Sequence, residues 1–485
     1  MGLSGIMAAL GGGEQKERRP LHLSALMEDR ARFVRARFDA AQTTEDNARH
    51  WSMVDAASAD AEASHETRCT LRLRSRYEVL NNSYAKGVVQ MLANDTIGTG
   101  PRLQFLSEDD DFNDRVEADF AKWAEEARLD ETLRLMRMAR CQDGESFAVM
   151  GTNPRMFNAV KLKLDVIEAD RIEGETLMGE DGSEGVDGIT YDRWGNPVSY
   201  RMLKYHPGDD SFQMLNDHIE VPAKFMLHAF VKYRPGLHRG VPELTAALPL
   251  FAQLRRYNLA TLSAAEAAAD FAAILYTDSP ADGESADVEP LDKVRLERNM
   301  MLTMPAGWKM GQLESKHPTS NHADFVKCIL AEIARCICST YGTVAGNFSG
   351  FNYASGRLDN QVYQKSLLVD RRKWEQDVLN PLLRMWLREW SLAADVPLPN
   401  DMAHEWFWDG FPHVDPTKEA NAQQTRLANM TTTLADEYAK EGKDYMKKLR
   451  QRAKEMRLMR ELGLVQEIPA NDGGKNEEEE EGEKE

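Results

Sequence analysis

Residues 71–104 read LRLRSRYEVLNNSYAKGVVQMLANDTIGTGPRLQ, and they carry the most informative pattern of the chain. Basic and apolar residues alternate through the first part of this stretch, within a region (21–95) whose pattern is mostly helical. The stretch then reaches a Gly-x-Gly-Pro breaker, and RLQFL (102–106) follows with the composition of a strand. We therefore predict helices before the breaker and a short strand directly after it.

The next segment has the period of an amphipathic helix. Phe112, Val116, Phe120 and Trp123 fall at i, i+4, i+8 and i+11, which places them on one helical face. Asp130 is of a residue type that caps helix N-termini, and it predicts the start of a second helix that reaches Cys141.

Residues 146–233 change from a helical period to that of strands. DRWGNP (192–197) supplies a turn inside this region. The predicted strands are SFAVMG (146–151), KLKLDVI (161–167), VDGITYD (186–192), NPVSYRML (196–203) and KFMLHAFV (224–231). A β-rich insert within a helical frame predicts an α+β fold.

The chain from Pro242 to Phe271 is helical again and rich in alanine. Small residues allow close helix packing, but alanine also simply favours helix, and both interpretations stay open. A small α/β unit is predicted at about 272–316, with a strand (AAILYT), a helix (PLDKVRLERN) and a hairpin (MMLTMPAGWKMGQL). A following helix carries one apolar face, formed by Phe325, Ile329, Ile333, Ile337 and Tyr341.

Residues 342–357, GTVAGNFSGFNYASGR, interrupt this helical region with four glycines, three aromatic rings and no acid. A long helix is predicted from about Arg357, with Asn380 and Pro381 as the N-cap and first helical residue at a point where the helix kinks or restarts. Asp415, followed by Pro416, predicts the start of a last set of helices that runs to about Leu464.

Composition excludes several classes of protein. The sequence contains no run of about 18 apolar residues, so no membrane span is predicted, and the N-terminus has no secretory signal pattern. Five cysteines in 485 residues give no disulfide framework, which favours a reducing cytoplasm. The net charge is −19, of which residues 471–485 (NDGGKNEEEEEGEKE) supply −6. Since affinity for DNA comes largely from cations, a chain this acidic is not expected to bind DNA tightly.

No catalytic constellation stands out. The loop at 342–357 has no lysine and therefore cannot be a phosphate-binding P-loop. His404, Asp409, His413 and Asp415 define an alternative function, a cytosolic metal-dependent hydrolase, although the zincin spacing fails because position 408 is Trp. Cys328, Cys336 and Cys338 contain no Cys-x-x-Cys pair, so we expect them to be small buried hydrophobes rather than metal ligands.

Taken in order, eight blocks between about residues 30 and 465 resemble lambda-type phage portal proteins. The first is the stretch 71–104. The others are WAEEARLDE…DGESF (123–147), LDVIEADRI (164–172), VDGITYDRWGNPVSY (186–200), VPAKFMLHAFVKYRPGLHRGVPELTAAL (221–248), PAGW (305–308), NYASGR (352–357) and VDPTKEA (414–420).

This resemblance implies a mainly helical portal fold with a wing, a stem, a clip and a crown. The implied divisions are a flexible N-terminus (1–30), a wing (31–239) with its β-rich insert (146–233), stem helix 1 (240–271), the clip (272–316), stem helix 2 (317–341), a channel loop (342–357), a long wing helix and connector (358–400), the crown (401–468) and a disordered acidic tail (469–485).

The resemblance also implies a function without catalysis or cofactor. Portals of this kind form a homo-oligomeric ring, commonly of twelve subunits, at one capsid vertex of the virion, and are assembled in the bacterial host cytoplasm. Double-stranded DNA enters during packaging and leaves at ejection, without tight binding. The implied partners are the terminase large subunit, a head-tail connector protein, and the major capsid and scaffolding proteins, with no membrane.

Two sets of candidate site residues follow. The channel loop would present Asn347, Phe348, Phe351, Asn352, Tyr353 and Arg357 to DNA, although an ordinary linker with aromatics packed back into the wing is the alternative. The stem contacts between subunits would be formed by Ala264, Ala268, Phe271, Phe325 and Ile329.

Overall fold

A computed structural model describes residues 48–52, 55–174, 184–209, 217–270, 274–277, 308–311, 322–411 and 415–464. The chain divides into a unit that ends at Ser58 and a second unit from Ala59 onward, to which all elements below belong. Within these ranges, no helix has the length and apolar character needed to cross a membrane.

The second unit is an α+β structure. Its helices are α1 (Ala59–Glu62), α2 (His65–Asn81), α3 (Ser83–Ile97), α4 (Asp110–Glu126), α5 (Leu129–Asp143), α6 (Leu248–Asp270), α7 (His322–Cys336), α8 (Tyr341–Ala345), α9 (Tyr353–Trp374), α10 (Asn380–Ala394), α11 (Pro416–Ala428), α12 (Leu434–Lys440) and α13 (Tyr445–Glu461). Its strands are β1 (Arg102–Phe105), β2 (Glu145–Thr152), β3 (Leu162–Ile167), β4 (Glu184–Val186), β5 (Ile189–Tyr191), β6 (Pro197–Leu203), β7 (His218–Pro222), β8 (Met226–Phe230), β9 (Ile274–Thr277), β10 (Trp308–Gly311) and β11 (His404–Phe407).

The stretch 71–104 forms α2, α3 and β1, as its pattern predicts. Asn82 separates the two helices: its side chain accepts hydrogen bonds from the backbone N–H groups of Tyr84 and Ala85, which caps the start of α3. The basic residues of α2 do not all face solvent, although Arg74 does. Arg68 and Arg72, four residues apart on α2, are buried, which the sequence pattern alone did not indicate.

The predicted amphipathic helix is confirmed as α4, whose Val116, Phe120 and Trp123 are buried. They pack in one core with tryptophans of α10. The prediction that Asp130 caps the next helix is wrong. The N-cap of α5 is Arg128, with left-handed φ of 48°, and Asp130 lies inside the helix and pairs with Arg134 at 2.9 Å.

The β-rich insert contains two antiparallel sheets, with strand orders β3-β2-β8 and β4-β5-β6-β7. The predicted strand 186–192 is in fact a hairpin, β4 and β5, because Asp187 and Gly188 both adopt positive φ at its turn. Strand β7 was not predicted, since it is largely exposed and lacks a clear apolar alternation. Strands β5 and β6 are joined by the predicted turn, where Asp192 accepts hydrogen bonds from the N–H groups of Trp194 and Asn196.

Two further strand pairs join segments that are distant in sequence. Strand β1 pairs with β11, so residues 404–407, which the resemblance assigns to the crown, are bonded to residues 102–105. Strand β10 pairs antiparallel with β9, so the WKMG segment is bonded to the ILYT segment. The predicted helix 290–299 and the MMLTMP half of the predicted hairpin lie outside the described residues.

The long C-terminal helix begins earlier than predicted, at Tyr353, and it is interrupted just before Asn380, where the sequence indicates a kink or restart. Helix α9 passes into α10 through one π-helical turn, Glu375–Leu379. Asn380 is not a cap, because its side-chain oxygen accepts a hydrogen bond from Trp406 Nε1 at 2.9 Å. The predicted start at Asp415 is confirmed: its carboxylate accepts from Lys418 N, and Pro416 is the first helical residue.

Candidate functional site

Helices α6 and α7 are the two that the family resemblance assigns to a stem. They pack against each other at Tyr257 of α6, whose ring centroid lies 4.6 Å from that of Phe325 and 5.2 Å from that of His322. Ile329 is buried in the core shared by α6 and α7, whereas Phe325 remains 48% exposed. Phe325 therefore contacts the neighbouring helix and still presents a face to solvent.

The other predicted stem residues lie on α6 or just beyond it. Ala264 is partly exposed, Ala268 lies in the last turn, and Phe271 is outside the described residues. On the same helix, Leu259 and Leu262 are 60% and 57% exposed. Leu259 and Leu262 thus leave more than half of their surface uncovered by the described part of the chain.

Helix α7 is shorter than predicted. It ends at Cys336 because Cys338 adopts left-handed φ of 53°, and the N–H of Ser339 bonds back to the carbonyl of Ala334 at 2.9 Å. Ile337 remains buried, but Tyr341 belongs to the separate helix α8.

The expectation that Cys328, Cys336 and Cys338 are buried is wrong, because all three are exposed. Cys328 and Cys336 each precede a buried isoleucine, Ile329 on α7 and Ile337 directly after it, and neighbouring helical positions point about 100° apart. The apolar face therefore buries the isoleucines and turns the thiols to solvent.

The glycine-rich segment is only partly a loop, because its start forms α8 and its end begins α9. Between them Gly346 and Gly350 adopt positive φ of 61° and 94°. These values are strained for residues with a side chain, which explains why glycine occupies both positions.

Phe348 and Phe351 sit together in this segment, with ring centroids 6.0 Å apart. Both rings pack over Gly342, where an added Cβ would lie 2.8 Å from Cε1 of Phe348. Phe348 is nevertheless 59% exposed, so one face rests on α8 and the other is accessible. The rings are held in place without being core residues.

The polar residues of the segment mainly fix its backbone. Asn347 accepts from the N–H of Ser349, and Asn352 forms a capping box with Ser355 at the start of α9. Tyr353 is the first residue of that helix. Arg357, one turn further, lines a surface depression of about 500 Å³ together with Gln361, Gln364 and Trp408.

The largest electrostatic feature is a set of buried arginine–carboxylate pairs. Glu145 of β2 is fully buried; it accepts hydrogen bonds from Arg239 at 2.7 Å and from the N–H of Gly240 at 3.0 Å. His228 Nε2 lies 3.2 Å from the same carboxylate, and its ring stacks on Phe147. Burial alone would raise the pKa of Glu145, but the Arg239 charge holds that pKa well below its usual range.

A second network ties α5 to α9 and to the segment before α6. Arg137 and Arg140 are both buried, and each bonds Glu243 and Asp370. Burial disfavours the charged form of Asp370, yet the two guanidinium groups lower the pKa of this carboxyl. These arginines hold elements together and are not free to contact a polyanion.

The described residues of the hydrolase alternative, His404, Asp409 and Asp415, are not assembled into a metal site. His404 hydrogen bonds to Asn380, and Asp409 accepts from Thr99 N and pairs with Arg102 at 3.2 Å. Asp415 caps α11, and His413 lies outside the described residues. Within the described ranges, the acids and histidine 404 are thus committed to structural contacts.

One group of potential metal ligands does occur in the described part of the chain, formed by Glu168, Asp170 and His206. Arg76 donates to Asp170 at 2.7 Å and lies 3.5 Å from Glu168, while pairing with Asp143 as well. The guanidinium therefore already supplies the positive charge that these carboxylates require.

Comparison with known proteins gives matches over most of the chain. The family model described as phage portal protein, lambda family, matches residues 44–371. A probable portal protein of Halomonas phage phiHAP-1 (isolate -/Gulf of Mexico/-/2001) is 25% identical over 432 residues, which cover 81% of each chain.

Similar solved structures come from gene transfer agent particles. A chain in the neck of the empty particle, computed with C6 symmetry, has 14% identity and a TM-score of 0.44, covering 75% of this chain and 90% of its own. A chain in the neck of the native particle, computed with C12 symmetry, has 13% identity and a TM-score of 0.43, covering 78% and 94%.

Proposed function

Because the chain belongs to the lambda family of phage portal proteins, we propose that it forms a closed ring of identical subunits, twelve in number, at one capsid vertex. Double-stranded DNA passes through the ring inward during packaging and outward at ejection. The observation that carries this proposal is the family match over residues 44–371, which includes α6, α7 and the segment 346–352.

The exposed apolar residues of α6 and α7 support a ring built through these helices. Leu259, Leu262 and Phe325 leave about half of their surface in water in the single subunit. Burying the exposed part of each side chain at a subunit contact would stabilise that contact by about 1–2 kcal/mol, because full burial of such a side chain is worth about 1.5–3 kcal/mol. A neighbouring subunit supplies such a cover, so we assign α6 and α7 to the stem.

We further propose that the segment 346–352 faces the channel. It exposes Phe348 and contains no acid, in a chain whose net charge is −19. An aromatic surface without cations touches a duplex weakly, which suits DNA in transit. Asn347 and Asn352 keep this surface in place, and Arg357 lies one turn along α9 from it.

The proposed role is structural rather than catalytic. Energy for DNA movement comes from a separate terminase motor that docks on the ring, and a connector protein joins the ring to the tail. The remaining proposed contacts are with the major capsid and scaffolding proteins during assembly in the host cytoplasm. The crown is assigned to α11, α12 and α13, and the clip to the β9–β10 pair.

A pair of stem substitutions tests the assembly. Leu259→Arg/Leu262→Arg places two charges at positions that are already exposed in the subunit, so folding is retained. If neighbouring stems cover these residues, burying the charges without partners is costly, and rings are lost in native mass spectrometry. Ala268→Arg on the same helix is expected to have the same effect.

The matched control is Leu392→Arg on α10, at a leucine that is 85% exposed and outside the stem. Rings are expected to form in this variant at the unaltered yield. Intact rings in the Leu259→Arg/Leu262→Arg variant would contradict the assignment of α6 to the subunit contact. DNA-filled heads reconstituted with each variant then report whether ring formation and packaging fail together.

A further inference from the structure

Helix α13 carries a dense positive charge in an otherwise acidic chain. Between Tyr445 and Glu461 there are seven basic residues against two acids, whereas the whole chain has a net charge of −19. All seven are exposed: Lys447, Lys448, Arg450, Arg452, Lys454, Arg457 and Arg460. The helix has no buried residue, so packing within the subunit does not account for its composition.

Acids of α4 and of α13 itself neutralise only part of this charge. Lys447 pairs with Glu117 of α4, Arg450 pairs with Asp114 of α4, and Arg452 lies 3.6 Å from Glu455. The other four basic residues, Lys448, Lys454, Arg457 and Arg460, pair with no acid in the described ranges of the chain. The last three of them lie in the second half of the helix. The end of α13 is therefore a cationic surface without a partner.

The most acidic segment of the sequence follows shortly after this surface. Residues 471–485 contain eight acids and two lysines, including five successive glutamates at 477–481. An extended chain spans at most about 3.6 Å per residue, so the thirteen residues from Leu464 to Glu477 can reach about 45 Å. Helix α13, with 17 residues, is about 25 Å long at 1.5 Å per residue. The glutamates can therefore reach any point of the helix.

We propose that the glutamate run 477–481 binds to the unpaired cations at the end of α13. Each exposed ion pair is weak alone. A short tether, however, keeps the glutamates at an effective concentration of about millimolar, and several pairs form along one helix. A row of carboxylates also resembles the spaced charges of a DNA backbone. The tail thus occupies the surface that would otherwise attract duplex DNA.

The consequence rests on the proposed portal function, while the contact itself does not. In a ring, twelve cationic helix ends would gather close together and would hold passing DNA electrostatically. With the tail bound, the surface is neutralised in place, and the ring keeps a low affinity for DNA.

Zero-length carbodiimide crosslinking of the full chain tests the contact directly. The pair Lys447–Glu117 serves as the internal positive control. We expect crosslinks from Lys448 or Lys454 to glutamates 477–481, and their loss at about 0.5 M salt, where the screening length falls to a few ångströms. Crosslinking of the control pair without any link between the tail and α13 would overturn the proposal.

Binding of a fluorescent 30-base-pair duplex, followed by anisotropy, tests the consequence. A chain that ends at Pro469, and a full chain with glutamates 477–481 changed to Gln, are both expected to bind at least about tenfold more tightly than the full chain at low salt. The gain should disappear when Lys454→Gln/Arg457→Gln/Arg460→Gln is added. The matched control changes three exposed lysines outside α13, Lys122, Lys163 and Lys204, to Gln and should keep the gain.

Two results would refute the consequence. Affinities within twofold of the full chain after truncation would show that the tail does not mask the helix. A gain that survives the α13 substitutions would show that the tail acts by general repulsion. The particle mass of every variant is measured in parallel, so a failure of ring formation, which bears on the portal function, is distinguished from a failure of tail binding.

Discussion

Replacing Glu145 by Gln is expected to be among the most damaging single changes outside the apolar core. The Glu145 carboxylate is the counter-charge of Arg239, whose side chain is only 1% exposed, and it also lies 3.5 Å from Arg72. The amide keeps the shape of the side chain but leaves a buried guanidinium with its principal partner uncharged. Breaking a buried pair in this way costs about 3–5 kcal/mol.

Differential scanning calorimetry measures the effect. At about 1 °C per kcal/mol for a cooperative unit of some 400 residues, the unfolding midpoint should fall by at least about 3 °C. The matched control is Glu441→Gln, which removes an exposed pair with Lys443 and should change the midpoint by less than about 1 °C. Glu145→Met/Arg239→Met, which removes both charges, should be less destabilised than Glu145→Gln.

A midpoint for Glu145→Gln within about 2 °C of the parent would refute this reasoning. It would mean that Arg239 obtains sufficient stabilisation from the carbonyl oxygens of Glu173 and Asp187, to which it also donates. The double variant separates the two cases, because it would then be more destabilised than the single one.

Three further results are expected. Phe348→Ala/Phe351→Ala should lower the unfolding free energy by less than about 2 kcal/mol, whereas truncating a core phenylalanine costs about 3–5 kcal/mol, and DNA packaging per ring should fall. A larger loss of stability with normal packaging would show that the segment is a packed linker. Burial lowers the pKa of His228 in the folded state, so below about pH 6.5 the unfolded chain binds a proton that the folded chain does not, and stability should decrease. His228→Gln should therefore flatten the dependence of the unfolding midpoint on pH between 7.5 and 5.5. An unchanged slope would exclude His228 as the source of that dependence. A chain that ends at Pro469 should assemble normally, since residues 470–485 contain no large apolar side chain; dissolved rings in native mass spectrometry would show that the tail is part of the assembly.

The spacing of apolar residues and the residue types of the turns were sufficient to predict most elements of the fold. Helix α4 and strand β3 were predicted because their apolar residues repeat at the spacing that one buried face requires. Boundaries failed where tertiary contacts replace local rules. Asn380 has the sequence context of a cap, but it accepts a bond from Trp406, a residue 26 positions away.

The buried charges could not be predicted from one sequence. Arg239 and Glu145 are 94 residues apart, and Arg140 and Asp370 are 230 apart, so no local spacing reveals these pairs. The arginine-rich character of 71–104 was visible, but basic residues on a helix usually face solvent. The exposed cysteines were missed for the opposite reason, because cysteine is buried more often than not.

The candidate site residues were placed by family resemblance, and the structure adds contacts that the sequence does not show. Phe348 and Phe351 rest on Gly342, an arrangement that follows from the short helix α8, which the sequence did not predict. Whether this segment faces a channel, and whether α6 contacts a neighbouring subunit, is decided by how the subunits assemble. One chain cannot specify those neighbours by its own periodicity.

The mass of the native particle tests the central claim most directly. Native mass spectrometry of the purified full chain should show one closed assembly of several hundred kilodaltons, about 660 kDa for twelve chains of 54.8 kDa, with no ladder of larger species. A monomer of 54.8 kDa that persists up to tens of micromolar chain would contradict the proposed ring.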